Sequence, residues 1–551
     1  MSSSLINTAM SGLNAAQAAL STTGNNIANV SVAGYNRQTT IINQSNGTAT
    51  GAGYIGNGVT VTGINREYNA FVVTQLLGSS ATSSALSTQL GQASSIDDLL
   101  GDSSTGIDAT MATFFKGLQT LTSNASDSSA RQAVLGEAQG LTAQFTSSAK
   151  YLNDMNTAVN QQISQNVDQI NTFASQIAKL NTQITTTRGS TGQEPNALLD
   201  QRDQLVSKLN DITGVTVTQQ DGDTYNVSFA NGVPLVSGGN AKTVVAVASS
   251  ADPTKMTVGM TQPDGSVSQI QESRMTTGSL GGALSFRKDN LEPAINQLGQ
   301  LALTMADSFN TTNKAGFDLN GTQGTDFFTF TGATTVGNTK NQGTADVSVA
   351  YTDTSAVKAS DYTMAYNGSS WDVTRVSDGA KITPTTGPND SNGNPTMEFD
   401  GLSVSVSGTP STKDSFTIKT VSNVAGSVNV AISDSSLIAA AGSADTGVSD
   451  NTNAQKMLNL QTAKLVEGKS TLSGAYASLV SNVGNQVSTL TTTNTAQANI
   501  VTQLTAQQQS ISGVNLDEEY GDLQRYQQYY LANAQVVQTA STIFDAIINL
   551  R

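Results

Sequence analysis

The sequence predicts an α+β multidomain chain: long helical coiled-coil segments at its two ends pair with each other, and β-rich domains are inserted between them. Three patterns predict it. An apolar seam recurs every seven residues near the start, through Ile6, Leu13, Leu20 and Ile27, with Ala9, Ala16, Thr23 and Val30 in the companion position. The same spacing returns at the far end, through Leu516, Leu523, Tyr530, Val537 and Phe544, with Tyr520, Ala534, Ser541 and Ile548 beside it. Between these ends the apolar period changes from helical to alternating and back. Small residues in the first seam let another backbone come close, so the two ends are expected to meet.

In chain order, alternation follows Arg37, at Thr39 to Asn43 and again around Val59 to Thr62, and predicts a hairpin or two short strands. Helical periodicity returns at Asn69 and runs to about Thr187, broken by Ser/Asp/Gly loops at 101–108 and 123–130. Its longest piece, Leu152 to Ile184, carries Val159, Ile163, Ile170, Phe173, Ile177, Leu180 and Ile184 on one stripe, with Gln and Asn covering the other face; this predicts a coiled-coil arm. LLDQRDQLVSKL continues as helix to about Asp211. Strands are expected from Val215 to about Gln271, a helix from Gly282 to Asn313, and an all-β insertion holding Trp371 from Thr325 to Ser435. From Asn453 to Ile511 the helical pattern resumes, with Leu458, Leu465, Leu472 and Leu479 at sevens, as the returning strand of the long coiled coil. The expected domains are 1–40 with 514–551, a helical bundle of 41–213, 278–314 and 450–513, a β-rich insertion at 214–277, and an outer β domain at 315–449.

Composition excludes several functions. At 551 residues the chain is too long for one core, and about 100 to 200 residues per domain gives three or four units. A net charge of −15 opposes nucleic-acid binding, which needs cations to displace counterions. With no Cys and no His, the chain lacks disulfides, thiol catalysis, and the commonest general base and metal ligand. Aromatic residues make up 5%, so aliphatic cores are expected. No run approaches the roughly 18 apolar residues of a membrane span, and no Lys or Arg lines the polar face of the first helix for a membrane surface. The first 66 residues hold no acid and only Arg37 and Arg66 as bases, so the cationic start of a Sec-type signal peptide is missing.

Apparent motifs dissolve in context. GAGYIG at 51–56 precedes a Val-Thr strand instead of a helix and reads as a turn. Ser147-Ser148-Ala149-Lys150 with Ser449-Asp450-Asn451 lacks the Lys-Thr-Gly element of penicillin-binding enzymes. Asp318, Asn320, Thr322 and Asp326 have Gln323 where a calcium loop needs Gly. Asp517, Glu518, Glu519 and Asp522 could form a metal or chaperone site; the simpler reading is a helix start capped by Asn515, with Glu518 closing the capping box. No catalytic, cofactor or metal residues are assigned.

Several blocks resemble one family. SGLNAAQAAL from Ser11, NNIAN from Asn25 and Ala33-Gly34-Tyr35-Asn36-Arg37-Gln38 are similar to the N-terminal motif of bacterial flagellar axial proteins, which form rod, hook and junction. The tail from Ser512 to Leu550, LLDQRDQL at 198–205 and TGSLGGALSFR at 277–287 resemble the hook-associated branch of that family. The resemblance covers both termini and several internal blocks, and leaves 325–435 to the residue reading alone. It implies a secreted, non-enzymatic structural subunit at the hook-filament junction of the extracellular flagellum, exported by the flagellar type III channel on an uncleaved N-terminal signal. It also implies partners: further copies in a ring on the distal hook end, the hook protein, the next hook-associated protein on the filament side, and an export chaperone on the C-terminal tail. Neither nucleic acid nor membrane is among them.

The assembly interface is expected at Ile6, Leu13, Leu20, Ile27, Leu516, Leu523, Tyr530, Val537, Phe544 and Ile548, on termini that are disordered in the free monomer. Two alternatives stand beside this reading. One is another axial protein of hook or distal rod; the other is a secreted β-rich adhesin or hydrolase working through 325–435.

Overall fold

A computed structural model describes residues 2–51, 53–101 and 106–548. Helix α1 (Ser2–Asn29) leads through a loop to a hairpin in which Gln38–Gln44 pairs antiparallel with Val59–Arg66, and a smaller ribbon, Thr48–Thr50 with Gly53–Ile55, extends its tip. Helices α2 (Ala70–Leu100), α3 (Ile107–Ser123), α4 (Ser128–Thr191) and α5 (Asn196–Thr213) follow. Asn69 starts α2 by accepting from the backbone of Phe71 and Val72, and Asp127 starts α4 by accepting from Ala130. With 64 residues, α4 runs for about 96 Å at about 1.5 Å per residue. It is the shaft of the molecule.

An inner β unit then forms a four-stranded meander over 216–241 and a three-stranded sheet over 244–269. Helix α6 (Gly278–Ser285) passes through a π turn at Phe286–Leu291 into α7 (Glu292–Lys314). Pro293 near the start of α7 cannot donate to the carbonyl four residues back, and the wider turn absorbs the change of register. The outer β domain has a five-stranded sheet ordered Thr334–Gly337, Ser415–Lys419, Tyr362–Tyr366, Trp371–Arg375, Lys381–Ile382. Its second sheet, four-stranded, is ordered Asp346–Tyr351, Leu402–Ser407, Thr396–Phe399, Thr385–Gly387. Tyr362 and Phe399 meet across the sheets at 5.1 Å, and Asp400 accepts from both Tyr362 and Arg375 at 2.6 Å. The chain enters and leaves this domain through one neck, where Phe328–Thr329 pairs with Asn429–Val430. Short helices α8 (Val424–Ser427) and α9 (Thr452–Asn459) precede the long α10 (Leu472–Ser512) and α11 (Leu516–Ile548).

Several expectations change in the structure. The helix expected from Asn453 to Ile511 breaks after Asn459 and restarts at Leu472, where Thr471 caps it. The break is a tight turn in which Glu467 and Gly468 both have positive φ, and Glu467 reaches Lys358 at 2.8 Å, so Leu465 lies on no helix. Nor is α10 the return strand of the α4 arm: Leu472, Tyr476, Leu479 and Val483 bury themselves largely against α2, and the Tyr476 hydroxyl donates to Leu100 O. Most of the apolar stripe of α4 is buried, with Ile163, Ile170, Ile177 and Ile184 fully covered, while Phe173 and Leu180 are half-buried.

The opposite face stays exposed, through Gln161, Gln165, Asp168, Gln169 and Gln176, while three amides beside or within the stripe are put to use. Asn160, Asn171 and Asn181 each hold backbone of the inner β unit with both ends of the amide: Asn160 spans Thr254 O and Met256 N, Asn171 holds Val244 N and O, and Asn181 spans Tyr225 and Gly238. Asn310 and Asn313 on α7 do the same for Phe327, Phe328, Thr325 and Ala439. The cores are not purely aliphatic either. Phe114, Phe115, Phe309, Phe327 and Phe328 form one buried ring cluster where α3, α7 and the neck meet, with Phe327 and Phe328 centroids 4.8 Å apart. Residues 102–105 of the first expected loop, and 549–551, lie outside the described residues.

Candidate assembly interface

Helices α1 and α11 pack antiparallel, since Gly12 faces Asn533 and Asn26 reaches Glu519. Gly12 lies directly against the Asn533 side-chain amide, which would have to shift to admit a Cβ there. The chain itself covers most of the companion seam of α1, though Val30, just past its end, is exposed. Ala9, Ala16 and Thr23 are buried, joined by Ala15, Ala19 and Thr22 between α11 and the hairpin. Of the expected interface residues, Ile6, Leu13, Leu20, Ile27, Leu523, Tyr530 and Val537 are half-buried. Leu516, Phe544 (46% exposed) and Ile548 (55%) face outward, and so do Tyr520, Tyr529, Leu531 (60%), Val536 and Ile543. One pair of helices therefore leaves apolar side chains open on both flanks of α11, Tyr529, Val536 and Ile543 on one and Leu516, Tyr520 and Leu531 on the other.

Below the helix pair lies a polar knot. Gly34 has φ +83°, a left-handed turn that sends Tyr35, Asn36 and Arg37 to three different partners. Arg37 meets Glu519 at 2.7 Å, Glu518 at 3.1 Å and Asp522 at 3.7 Å, and its backbone N–H donates to Ser512 O. Asn26 donates to Glu519 Oε2 and Gln38 O, while its own oxygen accepts from Gln38 N and the Tyr35 hydroxyl. Burial, then the charges of Asp200 and Glu519, push the Tyr35 hydroxyl up to about 12, so it stays a donor. Asn36 donates to Asp200 at 2.6 Å, and Arg66 bridges Asp200 and Asp203 at 3.0 and 2.6 Å. Burial raises the Asp200 carboxyl, against the hydrogen bonds of Asn36 and Arg66. Arg202 lies over the Tyr225 ring at 3.4 Å and donates to Asn181. The hexapeptide 33–38 and the block 198–205 are thus one structural unit.

Sequence reasoning missed this knot, although a signal was present: Arg37 and Arg66 are the only cations in an acid-free stretch, and a lone buried cation must find its acid elsewhere in the chain. The acidic cluster at 517–522 accordingly turns to Arg37. Asn515 does cap α11, accepting from Asp517 N at 3.0 Å, but Glu518 pairs with Arg37 in place of closing the capping box. Asp318 folds its own turn, accepting from Asn320 and Thr322, and Asp326 pairs with Lys314. Gly53–Ile55 of the glycine motif is a strand, while Ala52 lies outside the described residues. Among the described residues no His/Cys/Asp/Glu group has metal-site form, and no helix is long and apolar enough to cross a membrane.

A family described as the flagellar hook-associated protein FlgK helical domain matches residues 93–328, and the hook-associated protein 1 D2-like domain matches 336–420. The flagella basal body rod protein family matches 6–36, and the C-terminal family of rod FlgEFG proteins matches 506–550. Flagellar hook-associated protein 1 of Escherichia coli is 51% identical over 100% of both chains, and that of Salmonella typhimurium is 50% identical over the same share. Bacillus subtilis has a 25% identical relative of the same name, with 99% of this chain and 97% of that one aligned. The solved structure of the flagellar hook junction protein FlgK from Burkholderia pseudomallei, 28% identical, superposes with a TM-score of 0.75 over 80% of this chain and 100% of that one. By end-to-end identity and by fold, the chain belongs to the flagellar hook-associated protein 1 family.

Proposed function

We propose that the chain is a structural subunit joining the distal end of the flagellar hook to the filament, ringed with other copies of itself through its terminal helices and performing no catalysis. The observation that carries this reading is the half-covered helix pair at the meeting of the chain ends: α1 and α11 bury an alanine seam between them and leave Tyr529, Val536, Ile543 and Phe544 only partly covered. A ring of like pairs would supply that cover on each side, and a closed ring leaves no end to grow from. The hook protein would meet one side of the ring and the next hook-associated protein the other. Before assembly the same face would be held by an export chaperone on the C-terminal tail, and the termini would be loosely ordered. The place of action is the extracellular flagellum.

The test is complementation of a strain lacking the native protein with Tyr529→Asp and Ile543→Asp chains, read by electron microscopy of hooks. Loss of filaments from otherwise complete hooks, with the purified variant folded, is the expected result. Normal filaments on both variants would remove α11 from the interface and overturn the reading.

A further inference from the structure

Five charged groups gather where the outer β domain rests on the shaft. Lys419 ends a strand of the five-stranded sheet, and Asp361 stands just before another, Tyr362–Tyr366. Asp252 and Lys255 come from the inner β unit, in the loop between Val244–Ala248 and Met256–Thr261; Glu292 opens α7. Lys255 meets Glu292 at 2.6 Å and Asp252 at 3.8 Å, and Lys419 meets Asp252 at 2.9 Å. Two bonds to backbone carbonyls run through the same contact, from the Thr339 backbone N–H to Ser250 O and from the Thr417 hydroxyl to Ala251 O. Three acids face two bases. The odd one is Asp361, whose side chain is buried and whose Oδ1 has no hydrogen-bond partner.

We infer that this cluster is a proton-operated joint, in which uptake of one proton by Asp361 tightens the seat of the outer β domain on the shaft. With every group ionised the cluster carries one uncompensated negative charge in a buried contact; with Asp361 neutral, two acids balance two bases. Burial is the main force on Asp361 and pushes its carboxyl up to about 6; Lys255 and Lys419 oppose the rise, while Glu292 and Asp252 add to it. Asp252 moves the other way: the burial that would raise it is outweighed by Thr254, Lys419 and Lys255, so it stays ionised through the same range. Because the folded-state pKa of Asp361 lies above the unfolded value, the folded arrangement around it gains stability as pH falls through about 6 toward about 4 and loses that gain as pH rises again. The joint draws on that gain to the extent that docking buries the carboxyl. Nearby Arg375 is engaged by Asp378 and Asp400.

The experiment is hydrogen exchange by mass spectrometry on the full chain, corrected for intrinsic rates, at about pH 5 and about pH 7.5. It follows peptides covering 249–256 and 357–364 in wild type, Asp361→Asn and Glu292→Gln. Wild-type protection should rise about tenfold or more on acidification, since one pKa unit corresponds to a factor of ten. Asp361→Asn should be strongly protected at both pH values. Glu292→Gln removes a neighbouring negative charge and frees Lys255, so its transition should move to lower pH. Protection in wild type that ignores pH, an Asp361→Asn chain that keeps the wild-type dependence, or an unmoved Glu292→Gln transition would each overturn the joint. If Asp361→Asn fails to fold, the wild-type and Glu292→Gln titrations decide alone.

Discussion

The α4 arm and the terminal helix pair carry the same kind of sequence signal and end in different states. On α4 the seam residues Ile163, Ile170 and Ile177 are fully buried by neighbours from the same chain. On α1 and α11 the equivalent residues Leu13, Leu20, Leu523 and Tyr530 are half-covered, and Phe544 and Ile548 are open. A heptad seam states that a helix needs a partner; it does not state that one chain supplies it. The difference lies in what surrounds each seam. Around α4 stand α3, α5 and a β unit pinned by asparagines, whereas α1 and α11 have each other and one hairpin.

The contrast can be broken from its buried side first. Ile170→Asp or Ile177→Asp would leave an unpaired charge in a dry seam and should cost about 3–5 kcal/mol, while Gln169→Asp, on the exposed face, should stay within about 0.5 kcal/mol. Equal melting temperatures for the three would show that the register is wrong. Next come the clamps: Asn181→Leu strips partners from Tyr225 N, Tyr225 O and Gly238 O, and should cost about 3 kcal/mol, since each orphaned buried group costs roughly 1–3. Denaturant unfolding checks it, and an unchanged midpoint would mean water replaces the amide.

A smaller effect is expected at the knot, which sits between the two regimes. Arg37→Ala leaves the buried Glu519 facing Asn26 alone and should loosen α11 by about 2 kcal/mol, less than a fully dry pair because Arg37 is partly solvated. Faster protease cutting within 516–548, with the α4 core unaffected, is the readout; cutting at the wild-type rate would make the knot ornamental. The smallest stability effect belongs to the open face. Tyr529→Ser and Ile543→Ser should each shift the isolated chain by less than about 0.5 kcal/mol, yet impair filament attachment, and a large loss of monomer stability would place those residues in an intrachain core.

Much of the architecture was legible in the residues. The seams at both ends, the hairpin at 38–66, the stripe of α4 and the class change near residue 214 all follow from period, and period is a property of one stretch of chain. What stayed hidden depends on two stretches at once. Asn160, Asn171 and Asn181 look like solvent cover because an amide is polar; only the fold brings strand backbone to them. The pairing of α10 with α2 was equally invisible, because an apolar stripe carries no address. The break at 460–471 was masked by leucines that kept the heptad count while Glu467 and Gly468 turned the backbone. In the interface, the close approach of the two helices was legible in the small residues Ala9, Ala16 and Thr23, which go inside, while how much of Leu13 and Leu20 stays open was not, because that depends on the width of the partner helix.

The neck of the outer β domain has a consequence for exchange. Chain enters at Phe328 and leaves at Val430 side by side, and the rings of Phe327 and Phe328 belong to the shaft's own core against Phe114 and Phe309. Val421 is likewise committed to the shaft, its carbonyl pressed against Gly299 of α7. The interchangeable part is therefore what lies between, residues 332–419: a cassette that can be traded for another fold with neighbouring ends, or dropped for a short bridge, while both cut points stay anchored. A lineage could vary this module while keeping the few positions that seat it, such as Lys358 on Glu467 and Lys419 on Asp252, without altering the helices at the chain ends.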